Sequence, residues 1–233
     1  MKVLLFDTET TGLPSSRTIN PYNLTNWPHI VQFSFVVYDS STNIITETYN
    51  QIINIPTNAV ISPDATEIHR ITNEMSRASK VTLKHAFADF FYNLNNVDMI
   101  AGHNIEFDIN MIRVELLRFI YGGELSPREL KIYKRNLYAI TSFKNVFCTL
   151  KETVDLCNIG ATNSSGESFV KYPKLAELHE KLFSTTPNSL HNSMVDILVT
   201  LRCFVKIKYD QDLLTNCRTF KRYVDRFNIY ITP

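Results

Sequence analysis

Residues 2–13 read KVLLFDTETTGL. Val3–Phe6 is apolar at every position, so a strand here is covered on both faces and lies inside a sheet. Side chains two apart on a strand point the same way. Asp7 and Glu9 therefore emerge together, with Thr8 facing away. Most acids are solvated surface groups, a reading that suits two carboxylates at the end of an apolar strand poorly. The other alternative is a buried acid paired with a basic group.

Working outward, Lys2–Asp7 is the expected first strand. Ile30–Tyr38 and Ile44–Ile53 read as second and third strands, joined by the short Asp39–Asn43 link of a hairpin. Residues 14–29 are rich in Pro, Ser and Asn and read as loop. Ser62-Pro63 marks a helix start, with Ser62 as N-cap and proline at the first helical position. Thr82–Leu94 is amphipathic, with Leu83, Phe87, Phe90 and Leu94 on one stripe. Met99–Gly102 is expected as a buried strand leading into a helix over Asp108–Ile120. Val146–Leu150 reads as a strand, residues 158–172 as a Ser, Gly and Asn-rich loop, and Pro173–Phe183 as a helix. Strands alternating with helices give an α/β fold with a central sheet flanked by helices.

Two further acids stand in informative settings. Asp108 closes AGHNIEFD, and Asp196 lies within the helical run NSMVDILVTLRCFV. Acids converging on one point repel unless a cation joins them, and hard oxygen donors suit Mg²⁺ or Mn²⁺. His191 lies five residues before Asp196. Five helical residues turn by about 500°, which leaves the two about 140° apart. They do not share a helical face, so His191 is expected in the loop ahead of the helix.

FDTETTGL with Asp7 and Glu9, HNIEFD from His103 to Asp108, and HNSMVD from His191 to Asp196 resemble, in order and spacing, the motifs of the DEDDh 3′→5′ exonucleases. These form the DnaQ-like branch of the ribonuclease H-like nucleases. The resemblance spans roughly residues 1–205. It implies a ribonuclease H-like mixed sheet and two divalent cations, Mg²⁺ or Mn²⁺, about 4 Å apart. Asp7 would bridge them, with Glu9, Asp108 and Asp196 completing the shells. His191 would be the general base, since a neutral imidazole takes up a proton near pH 7. A sister group places tyrosine four residues before the last Asp, where this chain has Asn192.

The resemblance also sets Thr10 and Leu13 beside the terminal nucleotide, with His69 approaching the substrate end. His103, Asn104 and Phe107 flank the second motif, and Phe107 offers a ring to sugar or base. Ordinary packing is the alternative for each of these substrate contacts. Arg70 replaces a common glycine, bulky Ile105 and Glu106 stand where small residues are frequent, and Ser193 replaces a common alanine. Cys148-Thr149-Leu150 stands where the family's strand ends in DTL. The implied activity is release of nucleoside 5′-monophosphates from single-stranded 3′ ends. DNA is favoured over RNA because the motifs look closest to the proofreading exonucleases of replicative polymerases. An RNA-trimming exoribonuclease is the alternative within the class, and a non-catalytic nucleic-acid or polymerase interaction module is the alternative outside it.

The chain has 233 residues and a formal net charge of +1. That length suits one domain over residues 1–207, with an insert at about 121–145 and a C-terminal helical tail over 208–233. Ser126, Pro127 and Glu129 announce a helix in the insert. So small a net charge does not draw nucleic acid by itself. Local basic stretches are Arg128, Lys131, Lys134, Arg135 and Lys144, and Arg218, Lys221, Arg222 and Arg226. Solvated helix faces explain them equally well. Gln211–Leu214 faintly suggests a clamp-binding peptide, so a polymerase or other replication partner is a possible companion. Cys148, Cys157, Cys203 and Cys217 have no metal spacing and read as reduced, mostly buried thiols. MKVLLF is too short for a signal-peptide core, and no apolar run spans a bilayer. An intracellular enzyme, cytoplasmic or nuclear, is expected.

Overall fold

The computed structural model describes residues 1–229. Residues 230–233 of the expected tail lie outside the described residues. The elements are β1 (Lys2–Thr10), β2 (Ile30–Asp39), β3 (Ile44–Ile52), α1 (Pro63–His69), α2 (Asn73–Ala78), α3 (Leu83–Leu94), β4 (Met99–Gly102), α4 (Ile105–Tyr121) and α5 (Pro127–Thr141). Then follow β5 (Val146–Cys148), α6 (Thr149–Glu152), α7 (Val154–Cys157), β6 (Ile159–Thr162), β7 (Ser168–Lys171), α8 (Leu175–Phe183), α9 (Ser193–Tyr209), α10 (Leu213–Asn216) and α11 (Arg218–Phe227). A 3-10 turn at Leu24–Asn26 interrupts the loop after β1.

The main sheet has the order β3-β2-β1-β4-β5. β1 runs antiparallel to β2 and parallel to β4, so the sheet is mixed, as the family resemblance implies. The apolar first strand is central because two strands flank it on each side. Its alternating side chains feed two cores. Leu4 and Phe6 join Phe33, Phe35, Phe87 and Phe90 beneath α3 and α4. Val3 and Leu5 join Leu198, Leu201 and Phe204 of α9 on the other face. Edge-to-face contacts such as Phe6–Phe90, 5.1 Å between centroids, order the first core.

Ser62 caps α1 as expected, accepting from the Ala65 N–H, and the amphipathic stripe of α3 is buried. α5 carries the expected capping box: Ser126 Oγ accepts from Glu129 N–H, and Glu129 Oε2 accepts from Ser126 N–H. The helix packs its Tyr133, Asn136 and Ile140 inward, with the Tyr133 ring 5.1 Å from Phe119 of α4. The tail is packed too, with Leu213, Cys217, Phe220, Val224 and Ile229 sharing the α9 core.

Three sequence expectations are corrected. Residues 158–172 are not a plain loop but an antiparallel hairpin, β6–β7. The strand expected over 146–150 stops at Cys148, because Thr149 turns into α6, where its buried hydroxyl meets the His103 ring at 2.9 Å. α4 begins at Ile105, three residues before Asp108, so Asp108 sits in the first helical turn. Cys148, Cys203 and Cys217 are buried and Cys157 is half-buried, all as free thiols. No helix among the described residues is long and apolar enough to cross a membrane.

Candidate active site

The site forms at the C-terminal end of β1. Side-chain parity carries Asp7 and Glu9 onto the face already occupied by Val3 and Leu5, which is the α9 face. Asp196 lies in the first turn of α9 and meets them there. Ligand-capable oxygens of Asp7, Glu9 and Asp196 all lie within 4.8 Å of one another. Three oxygens that close, from three carboxylates, match the donor set of a hard divalent cation.

Asp108 reaches the site differently. It comes from α4, on the opposite face, and is 3% exposed. Thr8 faces that side. Its backbone N–H donates to Asp108 Oδ1 at 2.9 Å, and its hydroxyl donates to the same oxygen at 2.8 Å. The residue read as facing away from the acids therefore holds the fourth one.

Burial and mutual repulsion disturb all four acids. Burial, then the charges of Asp108, Asp196 and Glu9, push Asp7 well above the usual carboxylate range. Burial raises Glu9 to about 7. Asp196 rises to about 8, through burial and then the Glu9 charge. Asp108 rises to about 7 through burial, opposed by the two Thr8 hydrogen bonds. Four carboxyls so placed either hold protons or need a cation.

His191 lies ahead of α9, as its spacing from Asp196 predicts. It is exposed, at φ 71°. Its backbone N–H donates to Asp196 Oδ2 at 3.1 Å, so the loop is tied to the acid cluster. Asn192 follows as N-cap, its side chain accepting from Met194 and Val195 N–H. In this chain Asn192 is a capping residue where the sister group has its tyrosine.

Beside the acids is a cavity of about 330 Å³ lined by Thr8, Glu9, Thr10, Leu13, His69 and Phe107 among others. Leu13 is 87% exposed on its rim. The Thr10 hydroxyl donates to the Gly12 carbonyl at 2.7 Å. His69 is buried. Its Nε2–H donates to the Thr10 carbonyl at 3.1 Å and its Nδ1 accepts from Ile71 N–H, so it braces the strand end against α1. Arg70 adopts φ 63°, the left-handed conformation glycine favours, so the loop keeps that backbone shape without glycine.

His103 and Asn104 do not line this cavity. The His103 ring bonds to Thr149 Oγ1 at 2.9 Å and donates to the Pro173 carbonyl at 3.1 Å. Burial pulls it down to about 4, so it is neutral at pH 7. Asn104 is exposed at φ 63°, a conformation asparagine tolerates, and starts α4.

A polar support beneath the acids lies outside the three motifs. Ser34 pairs with Asp7 across β1 and β2. Its hydroxyl donates to Asn50 Oδ1 at 2.9 Å and lies 2.5 Å from Ser193 Oγ. This polar bridge from β3 to α9 gives the unusual Ser193 a partner. The sequence signal is Ser34 itself, a serine between Phe33 and Phe35 in a mostly apolar strand.

A family model described as Exonuclease (RNase_T) matches residues 4–204. Among solved structures, E. coli exonuclease I in complex with a dT13 oligonucleotide is 19% identical, with a TM-score of 0.58, over 97% of this chain and 43% of that one. Its complex with a dA16 oligonucleotide gives 20% identity and a TM-score of 0.57, over 96% and 43%. Exonuclease I from Methylocaldum szegediense is 15% identical, with a TM-score of 0.58, over 96% and 43%. The chain spans less than half the length of these proteins, and at such identities the likeness is one of fold. No curated protein matches the chain. The matched stretch runs from the strand that bears Asp7 past the helix turn that bears Asp196, and the chain belongs to the exonuclease family.

Proposed function

We propose that the chain is a metal-dependent 3′→5′ exonuclease acting on single-stranded ends, DNA in preference to RNA, and releasing nucleoside 5′-monophosphates. The observation that carries this reading is the convergence of Asp7, Glu9 and Asp196 within 4.8 Å. Together with Asp108 they would hold two divalent cations, Mg²⁺ or Mn²⁺. Bound there, the cations supply charge neutralisation and water activation for in-line phosphodiester hydrolysis.

The chain's own residues divide the remaining work. His191, on its exposed loop, would act as general base and accept the proton of the attacking water. Thr8 fixes the Asp108 carboxylate. Leu13 and Phe107 give apolar and aromatic surface to the terminal nucleotide, while Thr10 and His69 shape the floor beneath it. In this reading His103 and Asn104 set the start of α4 and do not touch substrate. The DNA preference draws support from the oligonucleotides dT13 and dA16 held by E. coli exonuclease I.

The test is digestion of a 5′-labelled oligonucleotide, as DNA and as RNA of one sequence, with Mn²⁺ and with EDTA. Stepwise 3′ shortening with metal, lost in Asp7→Asn, is expected, and faster with DNA. Undiminished cutting by Asp7→Asn would discard the mechanism. Faster cutting of RNA would reverse the substrate assignment. Strand binding without cutting, metal present, would leave an interaction module.

A further inference from the structure

His191 stands on the connection from α8 to α9, residues 184–192. Within it Ser184, Ser189 and His191 all have positive φ, at 56°, 59° and 71°. Backbone of this kind is unfavourable for residues other than glycine and persists where the surroundings hold it. The supports can be traced one by one.

The Thr185 carbonyl accepts the Nδ1–H of buried His179 at 2.6 Å. A carbonyl only accepts, so Nδ1 carries the proton and Nε2 accepts from Arg202 Nη1 at 3.1 Å. Arg202 is clasped in turn by Asp212, with Nε on Oδ1 at 2.8 Å and Nη2 on Oδ2 at 2.7 Å. Farther along the connection, Asn188 N–H donates to the Ile229 carbonyl at 2.7 Å. Ile229 is fully buried in the cluster that holds Phe220 and Val224, and Leu190 packs on that cluster. Two of these supports, Asp212 and Ile229, come from the segment that follows α9.

That segment has its own attachment to the sheet. Thr219 Oγ1 accepts from Ile45 N–H at 3.1 Å, and Tyr223 and Thr48 share a hydrogen bond of 3.1 Å. α11 thus climbs along β3 from the far end of the sheet and delivers Ile229 to the His191 connection.

We infer that residues 210–229 position the His191 loop for hydrolysis, with Ile229 as the positioning residue that bears on it directly. This rests on reading His191 as the general base. A loop one ångström out of place can cost on the order of 10²-fold in rate without any loss of chemistry at the metal ligands.

The test uses the full chain and a 3′ single-stranded DNA oligonucleotide with Mn²⁺, comparing Ile229→Ala and Ile229→Val alone and in a His191→Ala background. Folding is checked by circular dichroism. Ile229→Ala is expected to lower kcat about 10-fold or more, from the same positional argument, with KM nearly unchanged. Ile229→Val is expected to keep most of the rate. In the His191→Ala background, Ile229→Ala is expected to cost less than about 2-fold, because two residues acting through one step do not add. An equal loss in both backgrounds means a general structural role and overturns the inference. So does a folded Ile229→Ala chain with the wild-type rate. If alanine prevents folding, Leu190→Ala, which removes the loop side chain packed on the same cluster, makes the same comparison in the two backgrounds. Wild-type cutting by His191→Ala alone would instead remove the general-base reading beneath it.

Discussion

Thr8 holds Asp108 with two donors aimed at a single carboxylate oxygen, its N–H at 2.9 Å and its hydroxyl at 2.8 Å. The two residues are a hundred positions apart in the chain. Thr8→Val keeps the β-branched shape that the strand favours and removes only the hydroxyl. Partners that orient metal-binding groups commonly cost about 10–100-fold in metal affinity or activity when lost. Thr8→Val is expected to lose activity in that range, and to need more Mn²⁺ for half-maximal rate. A metal titration of the cutting rate decides it, and an unchanged titration curve would show that the backbone N–H alone suffices.

Stability without metal should depend on pH in an unusual direction. Glu9 and Asp108 titrate at about 7 and Asp196 at about 8, raised by burial first. In an unfolded chain such groups titrate at about 4. Between those values the folded chain binds more protons than the unfolded one, so stability falls as pH rises through 7 to 8. Buried His103 and His179, each pulled down to about 4, act in the opposite sense only below their unfolded value of about 6.5. In EDTA, Tm is therefore expected to rise as pH is lowered from 8 to 6.5. Saturating Mg²⁺ should flatten or reverse that slope, since a bound cation competes with the protons. Identical slopes with and without Mg²⁺ would mean that the acids do not share a cation.

The contrast between what was legible and what was not follows from the range of the interactions. Strand period alone sets Asp7 beside Glu9, and helical period alone puts His191 ahead of α9. Both are local geometry. α4 starts earlier than its apolar pattern because Asn104 begins it in a left-handed conformation and without a side-chain capping bond. The β6–β7 hairpin is hard to read because Ser168, Phe169 and Val170 are all exposed and β6 is only half-buried at Ile159 and Ala161, so the apolar alternation is weak. Thr8–Asp108, Ser34–Ser193 and Asn188–Ile229 join distant segments, and no local pattern encodes them.

A buried ion cluster away from the acids should matter for stability alone. Glu115, 5% exposed, accepts from His29 Nδ1 and Ile30 N–H and lies 2.9 Å from Arg118. Burial would raise its pKa, but the His29 hydrogen bond and the Arg118 charge outweigh it and hold the carboxyl below its usual value. Removing one partner of such a cluster typically costs about 3–5 kcal/mol, because the other charge stays buried. Glu115→Ala is expected to lower the urea midpoint accordingly. Because Glu115 is ionised when folded, its contribution is present above the unfolded carboxyl value and is lost as pH falls through the lower folded one. A loss below about 1 kcal/mol would place the cluster in the class of weak surface pairs.

Leu13 allows the substrate surface to be probed without disturbing the fold. At 87% exposure its side chain contributes little to folding, and surface substitutions of this kind usually change stability by less than about 0.5 kcal/mol. If a terminal base covers it, the apolar area withdrawn from water is worth at most about 1.5–3 kcal/mol, or roughly 10–100-fold in binding. Leu13→Ala is therefore expected to leave Tm within a degree or two, as its small stability effect implies, and to raise KM for a single-stranded 3′ end several-fold. Leu13→Asp, which adds a negative charge that would repel an anionic strand bound here, should raise KM further and in a salt-sensitive way. A normal KM in both variants would move the terminal nucleotide off this rim and toward Phe107 and Ile68, the other large apolar side chains on the cavity wall.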